Sequence, residues 1–240
     1  MIPLRTIFSN WLTSAIIALA SFTAVSVAAD TIAIIGTGEV AGALGPEFAA
    51  LGHEIIYGSR SPDRREVRDL VIRTGATASA TGQREAAQRG QIVILAVPWN
   101  VVETVVSNLG DLSGKIIMDP TNPRIVGDDG LRDYAIKTSN AEQIQNLAPD
   151  ADVVKAFNTM TWETMVEPDS TGGPVTVPIV GDDAEAKAAI AALSSGIGLE
   201  PIDLGPIRYA HVLEGMYHLW GNAATLGHPF NYYFRPNIAH

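Results

Sequence analysis

The stretch from residue 31 to residue 44, TIAIIGTGEVAGAL, decides the fold. Residues 32–35 form an apolar run typical of a buried β-strand, and Gly36, Gly38 and Ala41 complete the pattern G-x-G-x-x-A at the start of a helix. Gly36 would permit a tight turn, and Gly38 would let the backbone approach a pyrophosphate at the helix N-terminus. The stretch therefore predicts a dinucleotide-binding turn, although the same pattern also occurs in turns that bind nothing.

The end of the next strand indicates which dinucleotide would bind. A helix over residues 40–51 leads to a strand over residues 53–57, and Gly58-Ser59-Arg60 follows that strand. No acidic residue stands where one would hold the ribose 2′-hydroxyl of NAD. Ser59, Arg60 and Arg64 instead favour a 2′-phosphate and hence NADP, the alternative being a solvated basic turn.

Composition limits the remaining possibilities. The 240 residues are 47% hydrophobic, which is enough for one sizeable core and a small second lobe. The net charge is −10, from 16 basic and 26 acidic side chains, so a nucleic-acid partner is not expected. The absence of cysteine excludes disulfides, thiolate catalysis and cysteine-ligated metals.

The first 29 residues have the features of an export signal. Arg5 is the only charged side chain among them, an apolar run follows it, and small residues at 27–29 precede Asp30. We expect a signal peptide cut near Ala28 or Ala29, or an uncleaved anchor that associates the protein with a membrane. Either places the protein in the periplasm or on the outer face of the membrane. The alternative is a cytoplasmic protein whose N-terminal segment is not a working signal, which would agree with the cytoplasmic supply of NADPH.

The rest of the chain alternates strand and helix. This alternation predicts an α/β fold: a doubly wound Rossmann unit over residues 30–160, followed by a small C-terminal α/β extension over residues 161–240 for substrate binding or dimerisation. The further predicted strands are residues 91–97, 115–118, 152–156, 175–180 and 201–204. The further predicted helices are residues 64–73, 83–89, 101–109, 140–147 and 184–194, with a last one from residue 207.

Five short motifs carry a specific resemblance. They are LGHEII at 51–56, GSR at 58–60, AVPW at 96–99, VPIVGDD at 177–183 and LGP at 204–206. In this order and spacing, the chain resembles the NADP oxidoreductase family dependent on the deazaflavin coenzyme F420, to which the cytoplasmic domain of the six-transmembrane metalloreductases is also similar. The resemblance runs from Thr31 to Trp220. It implies hydride transfer between NADPH and a flavin-like ring in a cleft between the two lobes.

The resemblance also implies the residues that hold the cofactor. Thr37 and Gly38 would hold the pyrophosphate, and Val97 and Pro98 would line the nicotinamide pocket at the carboxyl end of a strand. Val97-Pro98-Trp99 also fits a strand end with a packed indole, and both descriptions can hold together. The full set expected to contact the cofactor is Gly36, Thr37, Gly38, Glu39, Val40, Ser59, Arg60, Arg64, Ala96, Val97 and Pro98.

The chain departs from the family pattern where the second substrate should bind. The deazaflavin enzymes carry a histidine after the sixth strand, whereas Asn158 stands there in this chain. Asn158 and Thr159 are therefore the candidates for positioning the acceptor, which would be F420, FMN, FAD, a ferric chelate, or a small carbonyl or imine. The aromatic residues of the tail 228–240 would either stack on that acceptor or dock on the core.

One helix face raises the question of a metal. His211, Glu214 and His218 share a face of the last helix, which suits either a metal site or a solvated surface, and we expect no metal. The opposite stripe predicts the side that faces the core: Ile207, Ala210, Val212 or Leu213, Met216, Tyr217 and Trp220.

Two functions follow from these patterns. The first is an exported NADPH-dependent oxidoreductase that acts on a small-molecule redox acceptor, with a homodimer as a further expectation. The second is a noncatalytic NADP-binding module or metalloreductase partner. Access of an acceptor to the nicotinamide beside Val97 and Pro98 would distinguish them.

Overall fold

The computed structural model describes residues 30–235 and 237, and the predicted export signal lies outside these residues. Eight strands form one sheet in the order β10-β9-β8-β5-β4-β1-β2-β3, in which only the β8–β9 pair is antiparallel, and β6 and β7 form a separate hairpin. The strands are β1 (Thr31–Ile35), β2 (Glu54–Ser59), β3 (Ala78–Gly82), β4 (Ile92–Leu95), β5 (Ile116–Asp119), β6 (Arg124–Val126), β7 (Arg132–Tyr134), β8 (Asp152–Lys155), β9 (Thr176–Gly181) and β10 (Glu200–Asp203).

Helices connect the strands and cover both faces of the sheet. They are α1 (Glu39–Ala50), α2 (Arg65–Thr74), α3 (Gln83–Arg89), α4 (Val102–Asn108), α5 (Asn140–Leu147), α6 (Trp162–Val166), α7 (Ala184–Gly196) and α8 (Ala210–Thr225). Short 3-10 turns occupy Trp99–Val101, Pro168–Thr171 and Ile207–Tyr209. A capping box begins α5, because the Ser139 hydroxyl accepts from the Glu142 N–H while the Glu142 carboxylate accepts from the Ser139 N–H.

The core lies on both faces of the central strands. Ile32 and Ile34 of β1 pack toward α1, while Ala33 and Ile35 pack toward α3 and α4, and all four side chains are fully buried. A strand that is buried on both faces has a continuous apolar sequence, which is why β1 and β4 could be predicted from sequence. The predicted doubly wound α/β fold is confirmed.

The C-terminal part of the chain continues the same sheet, since β9 and β10 lie beyond β8. The tail docks at the start of β9, where the Tyr232 carbonyl accepts from the Thr176 N–H over 2.8 Å. The Tyr232 hydroxyl also donates to the Met216 carbonyl over 2.9 Å. Within the described residues, no helix combines the length and apolar character required to cross a membrane.

Candidate cofactor and acceptor site

The glycine-rich turn brings the ends of three strands together. Gly36 has a φ of +116°, and its N–H donates to the Gly58 carbonyl at the end of β2 over 2.9 Å. A Cβ at Gly36 would lie 2.0 Å from the Ala96 carbonyl oxygen and 3.3 Å from Cγ1 of Val97, after β4. Only glycine fits this position, because both the positive φ and the close approach exclude a side chain. The turn therefore lies beside the predicted nicotinamide wall.

The start of α1 is open to a ligand. Gly38 is the N-cap residue, its backbone is extended, and no side chain caps the helix. A Cβ at Gly38 would have no other atom within 4 Å, and Glu39 and Val40 begin the helix directly after it. Free N–H groups at the N-terminus of a 12-residue helix favour an anion. The arrangement fits the pyrophosphate of a dinucleotide.

The basic residues after β2 lie next to this turn. Ser59 ends β2 and is buried, and its hydroxyl accepts from the Ser61 N–H over 3.1 Å. The Arg64 guanidinium donates to the Thr37 hydroxyl over 3.3 Å. Arg60 is exposed and makes no ion pair with any described residue. Exposed guanidinium groups at this edge fit a 2′-phosphate.

The predicted nicotinamide wall follows β4. Ala96 and Val97 are half-buried and Pro98 is exposed, and the 3-10 turn Trp99–Val101 begins directly after them. The turn after β1, the loop after β2 and this segment all lie at the carboxyl edge of the sheet, at the point where the strand order reverses. Doubly wound folds bind ligands at this position. The contacts of these residues with a cofactor stay a prediction.

Asn158 and Thr159 lie at the same edge but are buried. The Asn158 side-chain amide donates to Oδ1 of Asn122 and to the Leu213 carbonyl, each over 2.9 Å. Phe157 precedes it with a φ of +61°, a left-handed conformation that costs a non-glycine residue free energy. Oδ1 of Asn158 and Oγ1 of Thr159 are buried and have no hydrogen-bond partner among the described residues. Asn158 therefore joins the loops after β5 and β8, and each residue retains one unused polar atom.

A buried charge cluster that the sequence analysis missed lies beside Asn158. Nζ of Lys155 is 2.9 Å from Oδ2 of Asp119 and 2.7 Å from Oε1 of Glu214, and all three side chains are fully buried. Burial alone would lower the pKa of the Lys155 ammonium, but the carboxylates of Asp119 and Glu214 raise it. Burial raises the pKa of Glu214, and the Lys155 ammonium opposes that shift. The cluster ties β5, β8 and α8 together at the candidate site.

The polar face of α8 is not the solvated surface that the sequence suggests. Glu214 is fully buried, and its Oε1 also accepts from the Asn140 N–H at the start of α5 over 2.9 Å. His218 is buried too, and its Nε2 lies 3.1 Å from the Pro123 carbonyl, so Nε2 carries the proton. Val212, one of two alternatives for the predicted core stripe, is 55% exposed, whereas its alternative Leu213 is buried. Tyr134 of the β6–β7 hairpin packs against His211 and His218, while Lys155 and the start of α5 contact Glu214.

The described residues contain no group of three or more histidine, aspartate or glutamate side chains arranged to hold a metal ion. The three polar side chains of α8 instead bind other parts of the fold. Glu214 pairs with Lys155, while Nδ1 of His211 lies 2.9 Å from the Thr138 carbonyl.

Comparison with known proteins identifies the family. The family model described as NADP oxidoreductase, coenzyme F420-dependent, matches residues 31–123. Rat metalloreductase STEAP3 is 30% identical over 189 residues, which are 78% of this chain and 36% of that protein, so the chain spans about a third of that metalloreductase. The F420-dependent NADP reductase of Methanothermobacter thermautotrophicus is 25% identical over 198 residues, covering 76% of this chain and 84% of that enzyme.

A solved structure agrees with these relatives. The crystal structure described as an F420-dependent NADP reductase from Arthrobacter sp. FB24 is 29% identical, with a TM-score of 0.77 over 86% of this chain and all of that chain. Residues 31–123 of the chain match the F420-dependent NADP oxidoreductase family, and the chain is related to the STEAP metalloreductases.

Proposed function

We propose that this protein transfers a hydride between NADPH and a flavin-like acceptor, either the deazaflavin F420 or a flavin such as FMN or FAD. The observation that carries the proposal is the open N-terminus of α1 at Gly38, with the exposed guanidinium groups of Arg60 and Arg64 beside it. Membership of an NADP-dependent oxidoreductase family supports it.

The residues divide into those that bind the cofactor and those that orient it. The N–H groups after Gly38 bind the pyrophosphate, and Ser59, Arg60 and Arg64 bind the 2′-phosphate. Val97 and Pro98 hold the nicotinamide against an apolar wall. When bound, NADPH supplies the hydride, so the protein contributes alignment and the exclusion of water.

Asn158 and Thr159 are the residues that we propose for binding the acceptor. Each has a buried oxygen without a partner among the described residues, Oδ1 and Oγ1. A buried polar atom left unpaired costs free energy, and a hydrogen-bond donor on a bound ring would remove that cost. We therefore assign to these two residues the positioning of the acceptor.

A panel of assays tests the proposed function. NADPH oxidation is measured with F420, FMN, FAD and a ferric chelate as acceptors, each with NADH in parallel. We expect turnover with at least one flavin-like acceptor and a strong preference for NADPH. Absence of turnover with all four acceptors would contradict the proposal.

A single substitution tests the acceptor side. Thr159→Val removes the unpaired hydroxyl with little change of volume, and no hydrogen bond among the described residues is lost. We expect the KM for the acceptor to rise while the Kd for NADPH stays the same. Thr159→Ser retains the hydroxyl and should retain the wild-type KM.

A noncatalytic NADP-binding module that serves a membrane partner is the second candidate. The observation in its favour is that the chain matches only 36% of the length of metalloreductase STEAP3. In that case the isolated protein would bind NADPH but oxidise it with none of the soluble acceptors.

We also propose that residues 1–29 direct the protein to the periplasm or to the outer face of the membrane. The single charge at Arg5, the apolar run and the small residues before Asp30 support this proposal. N-terminal sequencing of protein from fractionated cells tests it. A soluble cytoplasmic protein that begins at Met1 would contradict export.

A further inference from the structure

The outer face of α8 is apolar. Val212, Leu219 and Leu226 are 55%, 65% and 63% exposed, and Leu226 directly follows the last turn of the helix. Seven residues span almost two turns of an α-helix, so these three side chains lie in one line along it. The opposite face packs on the core through Ala210 and Leu213, which are buried. Apolar side chains on two opposite faces are typical of a helix that is covered on both.

The β6–β7 hairpin lies along one side of this outer face. The Tyr134 ring stacks on His211 near the start of α8, with ring centroids 4.2 Å apart. The Arg132 N–H, two residues earlier in β7, donates to Oδ1 of Asn222 near the end of α8 over 2.6 Å. β7 therefore runs in the opposite direction to α8. The hairpin turn at residues 127–130 precedes β7, so it lies toward the C-terminal end of the helix.

The hairpin and the tail extend the apolar surface of α8. Ile125 and Val126 of β6 are exposed, and so are Phe230 and Tyr233 of the tail, which the Tyr232 hydroxyl ties to α8. Nine of the fourteen large hydrophobic side chains that are exposed in the described part of the chain belong to α8, its flanking turns, the hairpin or the tail. Single apolar side chains on a surface are common, whereas a concentration of this kind marks an interaction surface.

Opposite charges lie at the two ends of this surface. Arg208 is exposed in the 3-10 turn that precedes α8. Asp128 and Asp129 are exposed in the hairpin turn, toward the other end of the helix. α8 itself contains one acidic residue, Glu214, which is fully buried. The outer face of α8 thus presents no carboxylate in a chain of net charge −10, so two such faces do not repel each other.

The spacing of the apolar residues suits a second copy of the same chain. A two-fold axis at Leu219, perpendicular to α8, makes the two α8 helices antiparallel. Val212 then meets Leu226 of the second copy, because each lies seven residues from Leu219, and Leu219 meets its own counterpart. The same rotation brings Arg208 of one copy toward the acidic hairpin turn of the other, so the charges are complementary as well.

The size of the surface shows which elements such an interface must include. A 16-residue helix is about 24 Å long and about 10 Å wide, so the outer face of α8 covers roughly 240 Å². A standard interface buries about 800 Å² of each partner. α8 alone is too small for a stable dimer, and the exposed apolar side chains of the hairpin and the tail continue its surface on either side.

We propose that α8, the hairpin and the tail form a two-fold interface between two copies of this chain, with the two α8 helices antiparallel about Leu219. On the other side of α8, the Leu213 carbonyl accepts from the Asn158 amide over 2.9 Å. The second copy would therefore support the helix that holds the acceptor side of the candidate site. Dimerisation through this surface requires neither NADPH nor an acceptor.

Engineered cysteines test the arrangement, because the natural chain contains none. Leu219→Cys should form a disulfide between two copies under mild oxidation, since facing Cα atoms of two packed helices come within the reach of a disulfide. Val212→Cys and Leu226→Cys should each cross-link poorly alone and well when the two variants are mixed. Ile72→Cys is the matched control, because Ile72 is 76% exposed on α2, outside this surface. Non-reducing electrophoresis measures the cross-linked dimer.

Sedimentation equilibrium measures the oligomeric state without cross-linking. The wild-type protein should be a dimer, and Leu219→Glu should raise the Kd of the dimer at least about a hundredfold, because two unpaired carboxylates would meet at the axis. Ile72→Glu should leave that Kd unchanged. Arg208→Glu should weaken the dimer, and Asp128→Arg in the same chain should restore it. Thermal unfolding checks that each variant is folded.

Three results would overturn the proposal. The first is a wild-type protein that is monomeric at every concentration, or a dimer whose Kd Leu219→Glu leaves unchanged. The second is cross-linking of Val212→Cys with itself but not with Leu226→Cys, which would exclude antiparallel α8 helices. The third is a monomer that sediments with phosphatidylcholine vesicles as wild type but not as Leu219→Glu, which would assign the surface to lipid instead of a second copy.

Discussion

The Arg64 guanidinium donates a hydrogen bond to the Thr37 hydroxyl over 3.3 Å, and this contact joins the loop after β2 to the glycine-rich turn after β1. The two residues are 27 positions apart in the chain, yet they belong to the two motifs that predict NADP. Arg64 also lies 3.8 Å from the Glu66 carboxylate, whereas Arg60 has no such partner among the described residues. Arg60 is therefore the clearer probe of the 2′-phosphate.

Arg60→Gln should weaken the binding of NADPH and leave NADH nearly unaffected. A charge-assisted contact contributes about 1.5 to 3 kcal/mol, so the Kd for NADPH should rise roughly tenfold or more. Isothermal titration with both cofactors measures the effect. Arg65→Gln is the control, because Arg65 is exposed and pairs with Asp69 at 3.5 Å. Equal losses for NADPH and NADH would show that Arg60 does not bind the 2′-phosphate.

Substitution of Gly36 and of Gly38 by larger residues should lower the free energy of unfolding by different amounts. Gly38→Val adds a side chain where no atom lies within 4 Å, so the free energy of unfolding should fall by no more than about 1 kcal/mol. Gly36→Ala should cost about 2 kcal/mol or more, because φ is +116° and Cβ would approach the Ala96 carbonyl to 2.0 Å. Urea unfolding compares the two variants.

Binding of NADPH provides a second test of the Gly38 variant. Gly38→Val should lose the thermal stabilisation that NADPH gives the wild-type protein, because the new side chain occupies the space proposed for the pyrophosphate. If NADPH still raised the Tm of folded Gly38→Val, the turn would not be the pyrophosphate site.

The parts of the site that could be predicted are local in sequence. The turn after β1 and the residues after β2 each combine strand, glycine and charge within a few positions, so periodicity and spacing are sufficient. Strand β3 was missed because its sequence, ASATG, lacks the large β-branched and aromatic residues that indicate a strand. Predicted strand and helix ends also differ from the observed ones by one or two residues at most positions, as at β2 and α7.

The charge cluster and the hairpin could not be predicted from spacing. Lys155 is 36 residues from Asp119 and 59 residues from Glu214, and no local pattern links them. The hairpin has strands of three residues and was not predicted, so the polar face of α8 was expected to be solvated. The hairpin contacts His218 through Tyr134, and Glu214 is buried against Lys155 and the start of α5.

Lys155→Met should strongly destabilise the fold. The substitution leaves the buried carboxylates of Asp119 and Glu214 without their cation, a loss of about 3 to 5 kcal/mol. Lys187→Met is the matched control, because its partner Asp203 is 55% exposed and a surface pair contributes about 1 kcal/mol or less. Chemical denaturation measures both. Similar losses in the two variants would contradict a stabilising role for the cluster.

His218 should make stability depend on pH. Burial lowers the pKa of His218 below its ordinary value, so the unfolded chain binds a proton at a higher pH than the folded protein does. The contribution of neutral His218 to the free energy of unfolding is present above about pH 6.5, the ordinary pKa of histidine. It is lost as the pH falls toward the lower pKa that His218 has in the folded protein. The free energy of unfolding, measured between pH 8 and pH 5, should fall less steeply in His218→Gln. Identical slopes would show that His218 does not titrate differently in the two states.

Hydride transfer is the central claim, and isotope transfer tests it most directly. NADPH deuterated at C4 is incubated with the protein and either F420 or 5-deaza-FMN, because a deuterium bound to C5 of a deazaflavin does not exchange with water. Breaking the C4–D bond should give NADP⁺ and a reduced acceptor with deuterium at C5, while a solvent proton adds at N1. We expect transfer from only one of the two C4 stereoisomers and none with Gly38→Val. Hydride transfer would be contradicted if the reduced acceptor carried no deuterium with either stereoisomer. It would also be contradicted if neither F420 nor 5-deaza-FMN were reduced.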